Sequence, residues 1–233
     1  VGDGVGSVLD QCRDRIREGY SIAVYPEGAR SHDGRILRFH NGSFYLAEQL
    51  GLDILPIFIH GLTDVMPKSS GVCFRGKITV EVGKRLAPND ISMGDTYQQR
   101  TKAMRHFYEQ KIAQMSREIE TARYFHHLVA ASFAYKGFSI ERAVAQELKR
   151  TDCYAKWVDN CPGSGRIVVK NNGYGVAGLL FALVNSDREV IALDDDADML
   201  SLAAANAANP RNLTIAASYT PRPDDTIFDT REL

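Results

Sequence analysis

The sequence predicts an α/β fold, on three observations. Short apolar runs at residues 21–25, 54–59 and 166–169 have the length and β-branched content of buried strands. Stretches with apolar residues three or four apart alternate with them, as amphipathic helices require. Glycine, or proline in the case of Pro26, punctuates many of the junctions.

In chain order, Ser7 is placed to cap a first helix carrying Val8, Cys12 and Ile16 on one face, with Gly19 as its terminator. Residues 21–25 then read as a buried strand stopped by Pro26, and residues 42–50 as a helix closed by Gly51. A strand over 54–59 follows, then two more over 72–75 and 77–82, the last alternating through Ile78, Val80 and Val82. From 96 to about 124, Met104, Phe107, Tyr108, Ile112, Met115 and Ile119 mark one long amphipathic helix, and further helices are expected over 128–135 and 140–150, the latter capped by Ser139. The character then changes: strand 166–169, glycine turn 173–175, helix 176–184, strand 189–193, helix 197–208, and short strands at 213–216 and 226–228. The expected organisation is three parts, residues 1–95, a helical connector over 96–152, and a small Rossmann-like unit over 153–233.

Composition narrows the function classes. The 28 Lys and Arg nearly cancel the 29 Asp and Glu, for a net charge of −1, so no global field draws this protein to nucleic acid. Anion recognition must be local. The four cysteines form no CxxC pair, and no apolar run nears the roughly 20 residues of a membrane span. A reduced, cytoplasmic setting is expected, at most peripheral to the inner face of a membrane.

One loop concentrates the chemistry. Glu27-Gly28-Ala29-Arg30-Ser31 follows the expected strand 21–25, where open α/β sheets place their ligand sites. Gly28 permits a tight turn, Arg30 offers a planar fork of donors suited to phosphate, Ser31 adds a hydroxyl, and Arg35 and Arg38 bring the nearby cations to three. Glu27 can orient Arg30 or accept from a ligand hydroxyl. The alternative is a surface turn in which Glu27 and Arg30 pair only with each other.

The string Tyr25-Pro26-Glu27-Gly28-Ala29-Arg30-Ser31 resembles the phosphate block of glycerol-phosphate and lysophosphatidate acyltransferases, with Ala29 where that family usually has Thr. Phe39-His40-Asn41-Gly42-Ser43, Ala47 and Pro56 resemble its next block, and residues 78–86 its closing strand, so the resemblance covers about 7–88. It implies a partial acyltransferase-type domain in which Glu27, Gly28, Ala29, Arg30, Ser31 and Arg38 hold a phosphate-bearing lipid or glycerol acceptor. It also implies a thioester donor, acyl-CoA or acyl carrier protein, no cofactor, and a membrane surface for the full-length protein.

Acyl transfer to a hydroxyl needs a general base, which in that family is a His with an Asp five positions later. None of the six histidines has an Asp at that offset. No catalytic residue is therefore assigned, and the expectation is a catalytically incomplete piece whose missing blocks precede Val1.

In the last part, Gly173-Tyr174-Gly175-Val176-Ala177-Gly178 follows a strand, opens a helix and precedes Asp194 at the next strand end. It resembles the first half of a class I methyltransferase, which implies S-adenosylmethionine held by Gly173, Gly175 and Asp194. A noncatalytic Rossmann-like appendage is the other reading. For the acidic cluster of Asp195, Asp196 and Asp198, a solvated turn is expected rather than a metal site. The whole thus reads as an acyltransferase-like protein, with a methyltransferase or a noncatalytic lipid- or phosphate-binding module as rivals.

Overall fold

The structure, a computed structural model, describes residues 3–31, 34–66, 68, 71, 73, 75–134, 136–206 and 208–232, and for 3–7 and 151–154 the backbone alone. The chain divides into two compact units, Val1–Ser116 and Arg117–Leu233. Among the described residues no helix is long and apolar enough to cross a membrane.

The first unit opens with α1 (Asp3–Arg17), which already includes Ser7, so Ser7 is not its cap. Gly19 does terminate it: with φ at +90° its amide bonds to Ile16 and the Tyr20 amide to Arg15, the left-handed closure that glycine makes without a Cβ penalty. Helix α2 (Gly42–Leu50) ends the same way at Gly51, φ +63°. Strand β1 (Ile57–His60), the short helix α3 (Leu62–Val65) and β2 (Thr79–Val82) follow, and β1 pairs antiparallel with β2 in the register Ile57↔Val82 to His60↔Thr79. Pairing upstream of Ile57 shrinks to an isolated bridge, Ile54↔Leu86. The expected strand over 72–75 falls partly outside the described residues, and the described part of it forms none.

Helix α4 (Tyr97–Ile119) covers one face of this small sheet. Its Phe107 and Tyr108 rings lie 5.5 and 4.5 Å from Phe58, and the Tyr108 hydroxyl accepts the Ile57 amide at 3.1 Å. The opposite face, carrying Ile57, Ile59, Val80 and Val82, is exposed. Behind α4 sits a compact core of Phe39, Phe44 and Met104. Buried Arg100 binds the unit together: it donates to the carbonyls of Gly94 and Pro88 at 2.9 and 3.0 Å and to Glu48 Oε2 on α2 at 3.1 Å. The expected helix over 96–124 is in fact two, because Thr121, extended and accepting from the Tyr124 amide, ends α4 and caps the next.

The second unit begins with α5 (Ala122–Ser132) and α6 (Phe138–Asn160). The expected connector 96–152 is thus divided between the two units. Helix α6 runs on through residues 151–160, because buried Val144, Leu148 and Val158 keep one side of it against the core. Its cap is Gly137 rather than Ser139. Then come β3 (Gly165–Lys170), α7 (Val176–Val184), β4 (Arg188–Leu193), α8 (Ala197–Ala204), β5 (Leu213–Ala216) and β6 (Thr226–Asp229). Helix α8 therefore stops short of the expected 208. All four strands are parallel in the order β5-β4-β3-β6, so the chain steps outward from β3 to β5 and then crosses back to β3's other side.

Apolar burial explains the sheet. Ile167, Val168 and Val169 of β3 and Val190 and Ala192 of β4 are almost wholly buried, and α7 packs against both the sheet and helices α5 and α6. Gly178 makes that contact possible, since a Cβ there would lie 2.7 Å from the Ala192 Cβ. Arg188, 3% exposed, donates to the carbonyls of Val158, Cys161 and Pro162 at 3.0, 2.8 and 2.9 Å, closing the carboxyl end of α6.

Two stability effects follow. Gly178→Ala should lower the unfolding free energy by about 1–3 kcal/mol in denaturant titration, because helix and sheet must separate to admit the methyl. Burial pushes the Glu147 carboxyl up to about 7, against a smaller lowering by Arg150. The folded state then holds this proton longer than the unfolded chain, so the contribution of Glu147 to stability is greatest below about pH 4.5 and is lost as pH rises through 7. Glu147→Gln should remove that slope and raise stability at pH 8 by at most about 3 kcal/mol, as read by melts across pH.

Candidate anion-binding loop

Residues 21–25 form no regular secondary structure and pair with no strand among the described residues, and Val24 and Tyr25 are 45% and 81% exposed. The expected buried strand does not form because a strand exists through its neighbours, and among the described residues of this unit the one ladder joins β1 to β2. The loop that follows is instead built from its own hydrogen bonds. Tyr25-Pro26-Glu27-Gly28 closes a turn through the Gly28 amide and the Tyr25 carbonyl at 3.0 Å, with Pro26 where its fixed φ suits a β-turn. Gly28 has φ +67°, which favours glycine there.

Two further bonds join the ends of the segment that runs from Pro26 to His40. The His40 amide donates to the Pro26 carbonyl at 2.8 Å, and the Leu37 amide donates to Glu27 Oε2 at 2.8 Å. Phe39 anchors the returning arm: it is 5% exposed and meets Tyr108 edge-on at 5.4 Å. Arg38 and His40 on either side of it are exposed, so burial alternates along this arm.

Glu27 and Arg30 do not pair with each other, so the self-paired surface turn is not what forms. Glu27 is spent on the loop itself. Arg30 is exposed and makes one long bond, Nη1 to the Met66 carbonyl at 3.4 Å, leaving most of its donors available. Ala29 and Arg38 are exposed and Ser31 half-buried. His40, not singled out by its sequence context, lies against the turn: a Cβ on Gly28 would be 3.3 Å from its Nε2. A broad open cleft of about 780 Å³ lies beside α1, lined by Val8, Cys12, Arg15, Tyr20 and Ile22, and Glu27–Ser31 do not line it.

In the second unit the structure brings Gly173, Gly175 and Asp194 together at the ends of β3 and β4. Asp194 Oδ2 accepts the Gly173 amide at 2.7 Å and Oδ1 the Asp196 amide at 3.0 Å. Buried Asn172 accepts the Gly178 amide through Oδ1 at 2.9 Å, satisfying an early amide of α7 from within the loop. Asp196 is the cap of α8, accepting from Asp198 and Met199.

Comparison with known proteins points to the first unit. Residues 4–60 match the family model described as Acyltransferase. Over 82 residues the chain is 38% identical to a 1-acyl-sn-glycerol-3-phosphate acyltransferase of Chlamydomonas reinhardtii, covering 35% of this chain and 25% of that protein. Over 79 residues it is 35% identical to a chloroplastic 1-acyl-sn-glycerol-3-phosphate acyltransferase of Brassica napus, covering 34% and 23%. The crystal structure of the 1-acyl-sn-glycerophosphate (LPA) acyltransferase PlsC from Thermotoga maritima is similar at a TM-score of 0.41 and 24% identity, over 46% of this chain and 43% of that one. The chain thus spans about a quarter of the length of the curated relatives it matches first.

If Glu27 acts as the loop's clasp, Glu27→Ala should speed exchange of the Leu37 amide about fivefold or more, the loss of one net hydrogen bond. Glu27→Gln, whose amide oxygen can still accept, should keep most of the protection. Equal protection in both variants, measured by hydrogen exchange, would show that the clasp holds nothing.

Proposed function

We propose that residues 7–88 are the acceptor-binding part of a glycerolipid O-acyltransferase. The reaction moves an acyl chain from acyl-CoA or acyl carrier protein to a hydroxyl of a lysophosphatidate or glycerol-phosphate acceptor. The alcohol oxygen attacks the thioester carbonyl, the carbon–sulfur bond breaks, and the thiol leaves with the proton. No cofactor is needed beyond the acyl donor. An acceptor that carries an acyl chain is presented at a membrane surface, which makes peripheral contact part of this reading.

The observation that carries the proposal is Arg30, exposed and nearly unspent beside the Gly28 turn, within the segment that matches the acyltransferase model. Arg38 supports it from the returning arm. Glu27 keeps the turn and the arm in register, so the backbone that carries the donors is set before a ligand arrives, which lowers the entropy cost of binding. Removal of the proton from the attacking hydroxyl is assigned to none of these residues.

Titration calorimetry with sn-glycerol 3-phosphate, on the 233-residue chain at low salt, tests the reading. Arg30→Ala should weaken binding about tenfold, the scale of one charge-assisted hydrogen bond at an exposed site. Binding should also weaken as salt rises, because the charges are screened. Binding unchanged by Arg30→Ala would sink the proposal.

A further inference from the structure

We propose that His40 is a third phosphate-contacting residue of this loop, and that the ligand it helps to read is the phosphomonoester of an esterified headgroup. This rests on the acceptor-binding reading above and extends it to a residue outside the Glu27–Ser31 block.

Three observations carry the inference. The imidazole lies over the turn, with Nε2 and Cδ2 3.3 and 3.4 Å from where a Gly28 Cβ would sit. Gly28 has no side chain and its φ of +67° favours glycine, which lets the imidazole approach the turn this closely. The arm holding His40 is fixed at both flanks, by Phe39 in the core and by the His40 amide on Pro26, so the ring is carried by an ordered backbone. Alternating burial then puts Arg38, two residues earlier, on the same exposed side as His40.

The arrangement gives a phosphate two kinds of donor. Arg30 and Arg38 supply flexible, fully charged forks, and His40 supplies one ring N–H whose position is set by the turn. A directed donor discriminates shape: it favours a phosphate held in one orientation by its ester oxygen over one that tumbles freely. His40 therefore acts by binding and positioning the acceptor, with no part in bond making.

The experiment uses the 233-residue chain and follows the histidine ring nitrogens by NMR during titration with sn-glycerol 3-phosphate, inorganic phosphate and glycerol, with affinities from calorimetry. The His40 ring signals should move with the same midpoint as the calorimetric binding, and glycerol should leave them in place. His40→Ala should weaken sn-glycerol 3-phosphate about fivefold, and His40→Gln, which keeps a donor of similar reach, should restore it to within about twofold, an outcome that a packing role alone would not give. sn-Glycerol 3-phosphate should bind tighter than inorganic phosphate; equal affinities would overturn the assignment to an esterified headgroup. If Arg30→Ala weakens binding while His40→Ala leaves it unchanged, the inference falls and the acceptor-binding reading stands. If neither substitution changes binding, both fall.

Discussion

A buried guanidinium must have its donors satisfied, and in each unit of this protein one arginine turns that requirement into architecture. Arg100 gathers the carbonyls of Pro88, Gly94 and Asp95 and the carboxylate of Glu48, fixing an irregular segment and α2 to α4. Arg188 gathers the carbonyls at the end of α6, where a helix leaves its last acceptors bare. In both cases the acceptors are mostly backbone, so the arginine ties the path of the chain more than it pairs charges. The candidate loop depends on the first of these ties indirectly, because Phe39, which anchors its returning arm, packs with Phe44 of α2 and Met104 of α4.

Within the loop the division of labour is clear from which atoms are already used. Glu27 sits in the centre of the recognisable string yet bonds to Leu37, so its first duty is internal. Arg30, three residues on, is nearly unspent. The second unit shows the opposite balance: Asp194 and Asn172 bond the loop after β3 to itself, and several of the amides that a ligand could meet there already have partners.

Much of the fold was legible because its ends are marked chemically. Gly42–Leu50 lies between Asn41 and the left-handed Gly51, and Val176–Val184 opens after a glycine turn, so reading and structure agree residue for residue. The inner strands β3 and β4 were visible as apolar runs because the parallel sheet buries them. Where reading failed, the deciding contact was distant or subtle. Residues 21–25 have a strand's composition but no partner among the described residues. Thr121 splits one apolar stripe into two helices by a single cap bond. At the site, Arg30 and Gly28 stand out in the sequence, whereas the bond from Glu27 to Leu37 spans 10 residues of irregular chain, and nothing periodic announces it. His40 was hidden for the same reason, since its nearness to Gly28 comes from the loop's closure.

That closure has an evolutionary side. The loop's base is joined by the bond between His40 and Pro26 and the one between Leu37 and Glu27, so these bonds form a neck, and the chain that connects Glu27 to Leu37 is the tip it closes. Lengthening a tip of this kind costs little, about 0.6 kcal/mol for each doubling. At Gly34 a side chain would crowd Thr63, since a Cβ there would lie 3.3 Å from its hydroxyl oxygen. Insertions there can therefore be tolerated while the neck keeps its geometry, so the tip can vary without disturbing the bonds that join Glu27 to Leu37 and Pro26 to His40.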